Sequence, residues 1–553
     1  MNTWLSLRLL DIFKEIYGYF RTDKARIGIL CICTVNFAYL LMITPYGSLT
    51  WDEGIHTTPA IMVFDYFRRI AEDVSVITPS NTIKFFVDYQ RSYWINSNVL
   101  FFYPPLYWVL TALIIPFLGI NHYSARFVSI ISAPFLGIIT YELGKMFHNR
   151  RTGAIAVILT MSFYEVIQLG ASAVLDLPLT TLCLFATYYF WGARKKGDSW
   201  YNRSGIFLGL ALLMKQSAII MLLIFLLALI LFKGITKTAV KNITRILGFS
   251  SVVAGPWYFF VAIIAPYYLT AIWTVNVNQV LGPPWFSISA WYHYGVSLYR
   301  LTGLFILMLI FLGIAWSLLR RRQTDVFLLL FVAIILITFT ISWNKQFRYI
   351  LPCIPILFLY VGISIDNIAR IITKFLSARK IIVNRKNCKH VLFFLFFVFS
   401  FAEFFSINYS HISTLTDRPS LPLEEAAAYI VEHIPSNTNY KYRVLQIRMD
   451  NYFSPFAFSF YVMKYDRDHK VEILNPHSIE SLNLNPESID TFVRRERIYY
   501  IIFAIYENEE FTNPQNSENY FLYQIFTNSG SYIIEKVLRG YTWIHICHPA
   551  FVE

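Results

Sequence analysis

Apolar runs of bilayer length recur in this chain from near its start to about residue 410, and a soluble fold cannot bury that many. Ile27–Ile43, Ser217–Phe232, Leu301–Leu319 and Val391–Phe405 are each long enough, or nearly so, to cross a hydrocarbon core, which takes roughly 20 residues. Charged residues make up 15% of the 553, well below the quarter or so usual in soluble domains, and 56% are hydrophobic. These features predict a polytopic α-helical membrane protein. The formal net charge of +13 then reads as a topology signal. No basic segment interleaved with aromatics marks a nucleic-acid reader.

The polar connectors between the apolar runs sort by charge. Lys145, Arg150 and Arg151 occupy one, and Arg194, Lys195, Lys196 and Arg203 the next. Lys233, Lys237, Lys241 and Arg245 fill a third, Arg320, Arg321 and Arg322 a fourth, and the segment 367–389 carries seven more. Lys and Arg accumulate on the cytoplasmic side. Placing these connectors and the N-terminus inside predicts about eleven spans, near 26–43, 122–144, 153–171, 176–193, 203–215, 216–232, 246–265, 300–319, 325–341, 348–366 and 390–408. The basic residues before the first run (Arg8, Lys14, Arg21, Lys24, Arg26) resemble a signal-peptide start. The run is too long and lacks a small-residue cleavage site, so it reads as an uncleaved helix. Four of the six cysteines lie in or beside apolar runs, and no disulfide framework is implied.

The same charge argument constrains "LFFYPPLYWVLTALIIPFLGI" at 100–120. Were it to cross, every later basic connector would move outside. It is therefore expected to be an external juxtamembrane or re-entrant helix, with Pro104 and Pro105 at its start, where a missing N–H costs little. Past about residue 410 the pattern changes. "LPLEEAAAYIVEHIP" reads as an amphipathic helix. "YRVLQIRM", "KVEIL", "RIYYIIFAIYE" and "SYIIEKVL" read as short strands. The expected organisation is a transmembrane domain over 1–409, with a first external loop at 44–121, followed by a soluble external α/β domain over 410–553.

On this topology the residue types suited to chemistry fall on the external face. Asp52, Glu53 and His56 lie in the first external loop, and Arg126 sits one turn into the second span. Asp176 and Lys215 mark outer turns, Arg300 follows "WYHYG", and Lys345, Arg348 and Tyr349 belong to "SWNKQFRYILPCIP". Each has a plainer reading: solvated loop acids, a helix cap at Asp176, or a snorkelling lysine at 215. Glu142 and Glu165 lie inside spans, where acids are functional candidates by default. Their shared placement on one face makes the external residues a candidate site.

Taken in order, "WDEG" at 51–54, "YPPLYW" at 103–108, "SARFVS" at 124–129, "LDLPL" at 175–179, "GLALLMK" at 209–215 and "RYILPCIP" at 348–355 resemble a known set. They are similar to the polyprenyl-phosphate-sugar-dependent C-type glycosyltransferases. The groups most alike are the protein mannosyltransferases and the lipid A aminoarabinose transferase. The resemblance covers roughly residues 26–366. It implies that Asp52 is the catalytic base, that Glu53 matches its acidic neighbour, and that Asp176 is the acid of the second external loop. It also implies that Lys215 and Arg348 are cations near the donor phosphate. Tyr103, Arg126, Arg300, Lys345 and Tyr349 complete the expected substrate-binding set. Phe102 and Tyr103 stand where the lipid A aminoarabinose enzymes have a Glu-Lys pair.

The expected function is therefore an inverting transfer of a sugar from a polyprenyl-phosphate donor to a hydroxyl or amine of a lipid, glycan or protein. A carboxylate takes the acceptor proton, and fixed cations stabilise the departing phosphate. No cofactor is required. A divalent metal is compatible with Asp52, Glu53, Asp176 and His56, though no ligand spacing demands one. The competing class is a lipid or glycolipid transporter. Such proteins place charges near the bilayer midplane and carry inverted repeats, whereas here the charges cluster at outer helix ends. The expected location is the bacterial plasma membrane, with the N-terminus cytoplasmic and the C-terminal domain external.

Overall fold

A computed structural model describes residues 23–92, 103–264, 266, 281–379, 385–418, 420–435, 441–447, 453–474, 486–506, 531–539 and 542–550. Among these residues, eight helices are long and apolar enough to cross a membrane. A ninth arises if Arg150–Met161 and Tyr164–Gly170, bent by 60°, count as one broken span. Helices Asp176–Lys196 and Asp198–Met214 fall where two further spans are expected. The chain is thus an integral membrane protein. Leu106–Leu118 is an apolar helix of 13 residues with Pro105 at its N-cap. At 1.5 Å per residue it reaches about 20 Å, short of the roughly 30 Å core. That length suits the juxtamembrane role expected of it.

The chain divides into two compact units. The first comprises residues 1–42, 129–171 and 175–413 and contains most of the long apolar helices. Helix Phe347–Ala378 is its most enclosed span, with 94% of its most apolar stretch buried. Close approach is built from small residues: a Cβ on Gly144 would lie 2.4 Å from the Gly153 backbone, and one on Gly313 would lie 2.5 Å from the Tyr360 carbonyl. The basic connectors are partly answered by two buried acids. Asp23 accepts from Lys145 at 2.8 Å and from Arg150 at 3.3 Å, and Asp366 accepts from Arg370 at 2.7 Å and Lys389 at 2.9 Å. Glu142, an intramembrane acid in the sequence, pairs with Arg26 at 2.8 Å.

The second unit is assembled from three stretches, 43–128, 172–174 and 414–553. Its sheet has the order β2-β1-β3-β5-β4, with β1 Tyr442–Ile447, β2 Val471–Leu474, β3 Ile498–Tyr506, β4 Tyr532–Leu538 and β5 Thr542–Pro549. β1 runs parallel to both β2 and β3, and β5 is antiparallel to β3 and β4. Parallel neighbours need crossovers, which helices Pro455–Tyr465 and Pro486–Glu496 provide. Four strands coincide with the expected runs, as does helix Leu423–His433. β5 is the one missed. Its sequence "TWIHICHP" carries two histidines, which blur the apolar pattern.

The segment expected as the first external loop is largely helical, with helices at Trp51–Glu72, Pro79–Ser92 and Leu106–Leu118. Helix Trp51–Glu72 packs against Pro455–Tyr465 so closely that a Cβ on Gly54 would lie 2.5 Å from the Ala457 nitrogen and 2.6 Å from the Phe456 carbonyl carbon. Backbone atoms cannot swing aside, so only glycine fits. Asp65 braces the same helix: its carboxylate accepts from the Tyr89 hydroxyl at 2.5 Å and from the Arg467 guanidinium.

Candidate functional site

In the second unit, the stretch "TWDEG" starts helix Trp51–Glu72 with a capping box. The Glu53 N–H donates to Thr50 Oγ1 at 3.4 Å, and the Thr50 N–H donates to Glu53 Oε2 at 2.9 Å. The T-x-x-E pattern is a sequence signature of a helix start, and it separates the two acids. Glu53, 1% exposed, also accepts from Arg126 Nε at 2.7 Å and Nη2 at 3.3 Å, and from the Ala173 N–H at 2.9 Å. An ionised carboxylate has about four lone-pair sites, and these four donors, the Thr50 N–H among them, occupy them. Burial alone would raise the Glu53 pKa. The Arg126 charge, then its hydrogen bonds and those from Ala173 and Thr50, overcome burial and bring it to about 2.

Arg126 is fully buried and spends its remaining donors on main-chain carbonyls of Thr44, Tyr46 and Ser48. It thereby anchors the segment that leads into the capping box. Asp52 is half-buried in the first turn of the helix, where unsatisfied N–H groups favour a negative charge. His56 lies one helical turn further on, at i+4, with its ring nearly perpendicular to that of Tyr103 and the ring centroids 4.7 Å apart. Tyr103 is thus placed beside the helix that carries Asp52.

The first unit gathers Asp176, Lys215, Arg348 and Tyr349. Asp176 is the first residue of helix Asp176–Lys196 and is 3% exposed. Its Oδ1 accepts from Lys215 Nζ at 2.7 Å, and Arg348 Nε stands 3.8 Å from Oδ2. The Lys215 ammonium lies 4.6 Å from the centroid of the Tyr349 ring and the Arg348 guanidinium 5.7 Å from it. Tyr349 stacks in turn on Phe339 at 5.5 Å. Lys215 breaks the helix run as the C-cap of Asp198–Met214, and Arg348 and Tyr349 sit on the short 3-10 segment Phe347–Cys353. Glu165 lies within electrostatic reach of both Arg348 and Asp176, which gives this intramembrane acid its surroundings.

The two remaining expected residues are Lys345 and Arg300. Lys345 is 2% exposed and turns its ammonium onto the Ser342 carbonyl, and burial pulls its pKa below the usual lysine value. Its backbone is pinned to Leu281, whose carbonyl accepts from the Lys345 N–H at 2.8 Å. Arg300 is exposed. Among the described residues, no group of three or more His, Cys, Asp or Glu side chains could hold a metal ion.

Residues 103–260 match the family described as dolichyl-phosphate-mannose-protein mannosyltransferase. An undecaprenyl phosphate-alpha-4-amino-4-deoxy-L-arabinose arabinosyl transferase 2 of Proteus mirabilis is 25% identical over 299 residues, which cover 51% of this chain and 50% of that protein. A corresponding transferase of Yersinia pestis is 27% identical over 272 residues, 45% of this chain and 47% of that protein. The matches thus span about half the length of these relatives. The solved structure of ArnT from Cupriavidus metallidurans bound to undecaprenyl phosphate aligns with a TM-score of 0.60 at 12% identity, covering 96% of this chain and 99% of that one. The Archaeoglobus fulgidus oligosaccharyltransferase aligns with a TM-score of 0.54 at 12% identity, covering 86% and 69%. Over nearly its whole length this chain has the fold of the C-type glycosyltransferase superfamily, and its partial sequence matches fall within the same superfamily.

Proposed function

We propose that this protein is an inverting glycosyltransferase that moves a sugar from a polyprenyl-phosphate donor to a hydroxyl or amine acceptor. The observation that carries the reading is the Lys215–Arg348 cation pair, held on Asp176 and Tyr349, in a fold whose solved member was crystallised with undecaprenyl phosphate. Cations fixed in a poorly hydrated site stabilise charge on a leaving oxygen without reorganising. In the step itself, the acceptor oxygen or nitrogen bonds to C1 of the sugar and the C1–O bond to phosphate breaks. The acceptor proton passes to Asp52, and Lys215 and Arg348 neutralise the phosphate. Glu53 and Arg126 act at one remove: their polar atoms are committed to each other and to the main chain, so they fix the helix end on which Asp52 sits. The aminoarabinose relatives supply a class of donor, and the acceptor is a lipid, glycan or protein.

The binding half of this reading is tested with undecaprenyl phosphate and the purified protein. Replacing Lys215 or Arg348 with alanine is expected to raise the Kd about 10- to 100-fold, the range for losing a charge-assisted contact to phosphate. Affinity within twofold of wild type in both variants would move the phosphate site elsewhere.

We further propose a bacterial plasma-membrane location with the basic connectors inside and the C-terminal segment outside. The excess of Lys and Arg in those connectors supports it. A cysteine at the exposed position Glu432 is expected to react with a membrane-impermeant maleimide applied to intact spheroplasts. Reaction only after lysis would invert the topology.

A further inference from the structure

Helix Ile288–Arg320 contains a built interruption. Its 33 residues would extend about 50 Å as one straight rod, far beyond a hydrocarbon core of roughly 30 Å. At Gly303 the backbone leaves the helical region, with φ at +80° and ψ at 173°. Such a break leaves carbonyls on one side and N–H groups on the other without helical partners, which is costly where water is scarce. The long apolar helix Arg385–Ser413 supplies both kinds of partner. The Glu403 carboxylate accepts from the Leu304 N–H at 3.1 Å and the Phe305 N–H at 2.9 Å. The Asn408 amide donates to the Leu301 carbonyl at 3.0 Å. Leu304 and Phe305 are 49% and 41% exposed.

The carboxylate also occupies the space a side chain at 303 would need: a Cβ there would lie 2.6 Å from Glu403 Cδ and 2.8 Å from Oε2. The left-handed φ favours glycine at 303, and any side chain there would displace the Glu403 carboxylate from its two N–H donors. The half of the helix before the break reaches the Lys345–Tyr349 segment. His293 Nε2 lies 3.2 Å from the Lys345 carbonyl, and Tyr294 donates its hydroxyl to the Phe339 carbonyl at 3.5 Å. Phe339 is the ring on which Tyr349 stacks. Asn408 extends the linkage, since its Oδ1 accepts from the Tyr164 N–H at 2.7 Å, next to Glu165.

From this we infer that Glu403, with Asn408, clamps the helix broken at Gly303, and that the break positions Arg348 and Tyr349 for the donor phosphate. Glu403 is a positioning residue: it touches no reacting group. The second clause rests on the phosphate role proposed for Arg348, whereas the clamp does not.

Two measurements test the proposal separately. Spin labels at the exposed positions Tyr292 and Leu312 flank the break, in a background without the accessible Cys31 and Cys388. Glu403→Ala is expected to shift or broaden the label distance, and Glu403→Gln, which keeps one of the two acceptor oxygens, to change it less than Glu403→Ala does. An unchanged distance in Glu403→Ala overturns the clamp. Undecaprenyl phosphate affinity is then read in the same variants. Glu403→Ala should weaken it by about tenfold, within the usual range of coupling between separated sites, and Glu403→Gln by less than threefold. A moved distance with wild-type affinity overturns the positioning role. Failure of the wild type itself to bind undecaprenyl phosphate overturns the phosphate reading and the positioning role with it, and the label distance still decides the clamp.

Discussion

Asp52→Asn is expected to leave the protein folded and inserted while lowering sugar transfer by about 10²- to 10⁴-fold, the contribution of a well-placed general base. The amide keeps the size and position of the carboxylate at the helix start but cannot take a proton from the acceptor. The measurement is transfer from radiolabelled undecaprenyl-phosphate sugars in membranes, with undecaprenyl phosphate affinity as the control. Because the base acts on the acceptor, donor affinity should stay within about threefold of wild type while turnover collapses. Transfer within tenfold of wild type by a well-folded Asp52→Asn protein would remove Asp52 from the chemistry.

The opposite pattern is expected at its neighbour. Arg126→Met leaves the Glu53 carboxylate buried without its counter-ion, a change that typically costs about 3–5 kcal/mol. A large fall in thermal stability should therefore precede any kinetic effect. The double variant Glu53→Leu with Arg126→Met removes both charges and should recover part of that loss, although the carbonyls of Thr44, Tyr46 and Ser48 still lose their donor. Equal stability of Arg126→Met and wild type would mean the pair carries no net weight.

The same pair sets a pH dependence. Glu53 has a pKa near 2 when folded, against an ordinary value of 4.5. Its folded-state value is depressed, so its contribution is complete above about pH 4.5 and is lost as pH falls through 2. By linkage that contribution is about 3 kcal/mol. Acid unfolding of wild type should steepen within this window, and Glu53→Gln should flatten it.

Particular residues show how far the fold and the candidate site were legible in the chain. Apolar length located eight of the expected spans, and the positions of Lys and Arg were needed for the others and to set Leu106–Leu118 apart. Both signals are averages over many residues, which makes them robust. Averages are blind to a single φ, so the break at Gly303 lay hidden inside a run that reads as one helix. Thr50 and Glu53 formed a capping pattern in plain view, but adjacency to Asp52 made the two acids look alike. What distinguishes them is Arg126, 73 residues away. The Asp176–Lys215–Tyr349 grouping was approachable because each residue interrupts an apolar stretch where water or a counter-charge must meet it. Lys345 has the same signal but turns its charge onto its own loop, since sequence carries no information on which way a side chain folds back.

The three-piece second unit has a consequence for biogenesis. The Thr58 hydroxyl donates to the Phe456 carbonyl 398 residues later in the chain, and the Gly54 contact spans a similar interval. At about 5–20 residues per second, the helix bearing Asp52 leaves the ribosome roughly 20–80 s before its packing partner exists. For that time its apolar face, including Ala60, Ile61 and Met62, is exposed to whatever the insertion machinery or bilayer offers. A nascent chain arrested before residue 455 therefore holds the proposed base on an uncovered helix, so the proposed activity must wait for that partner to be made.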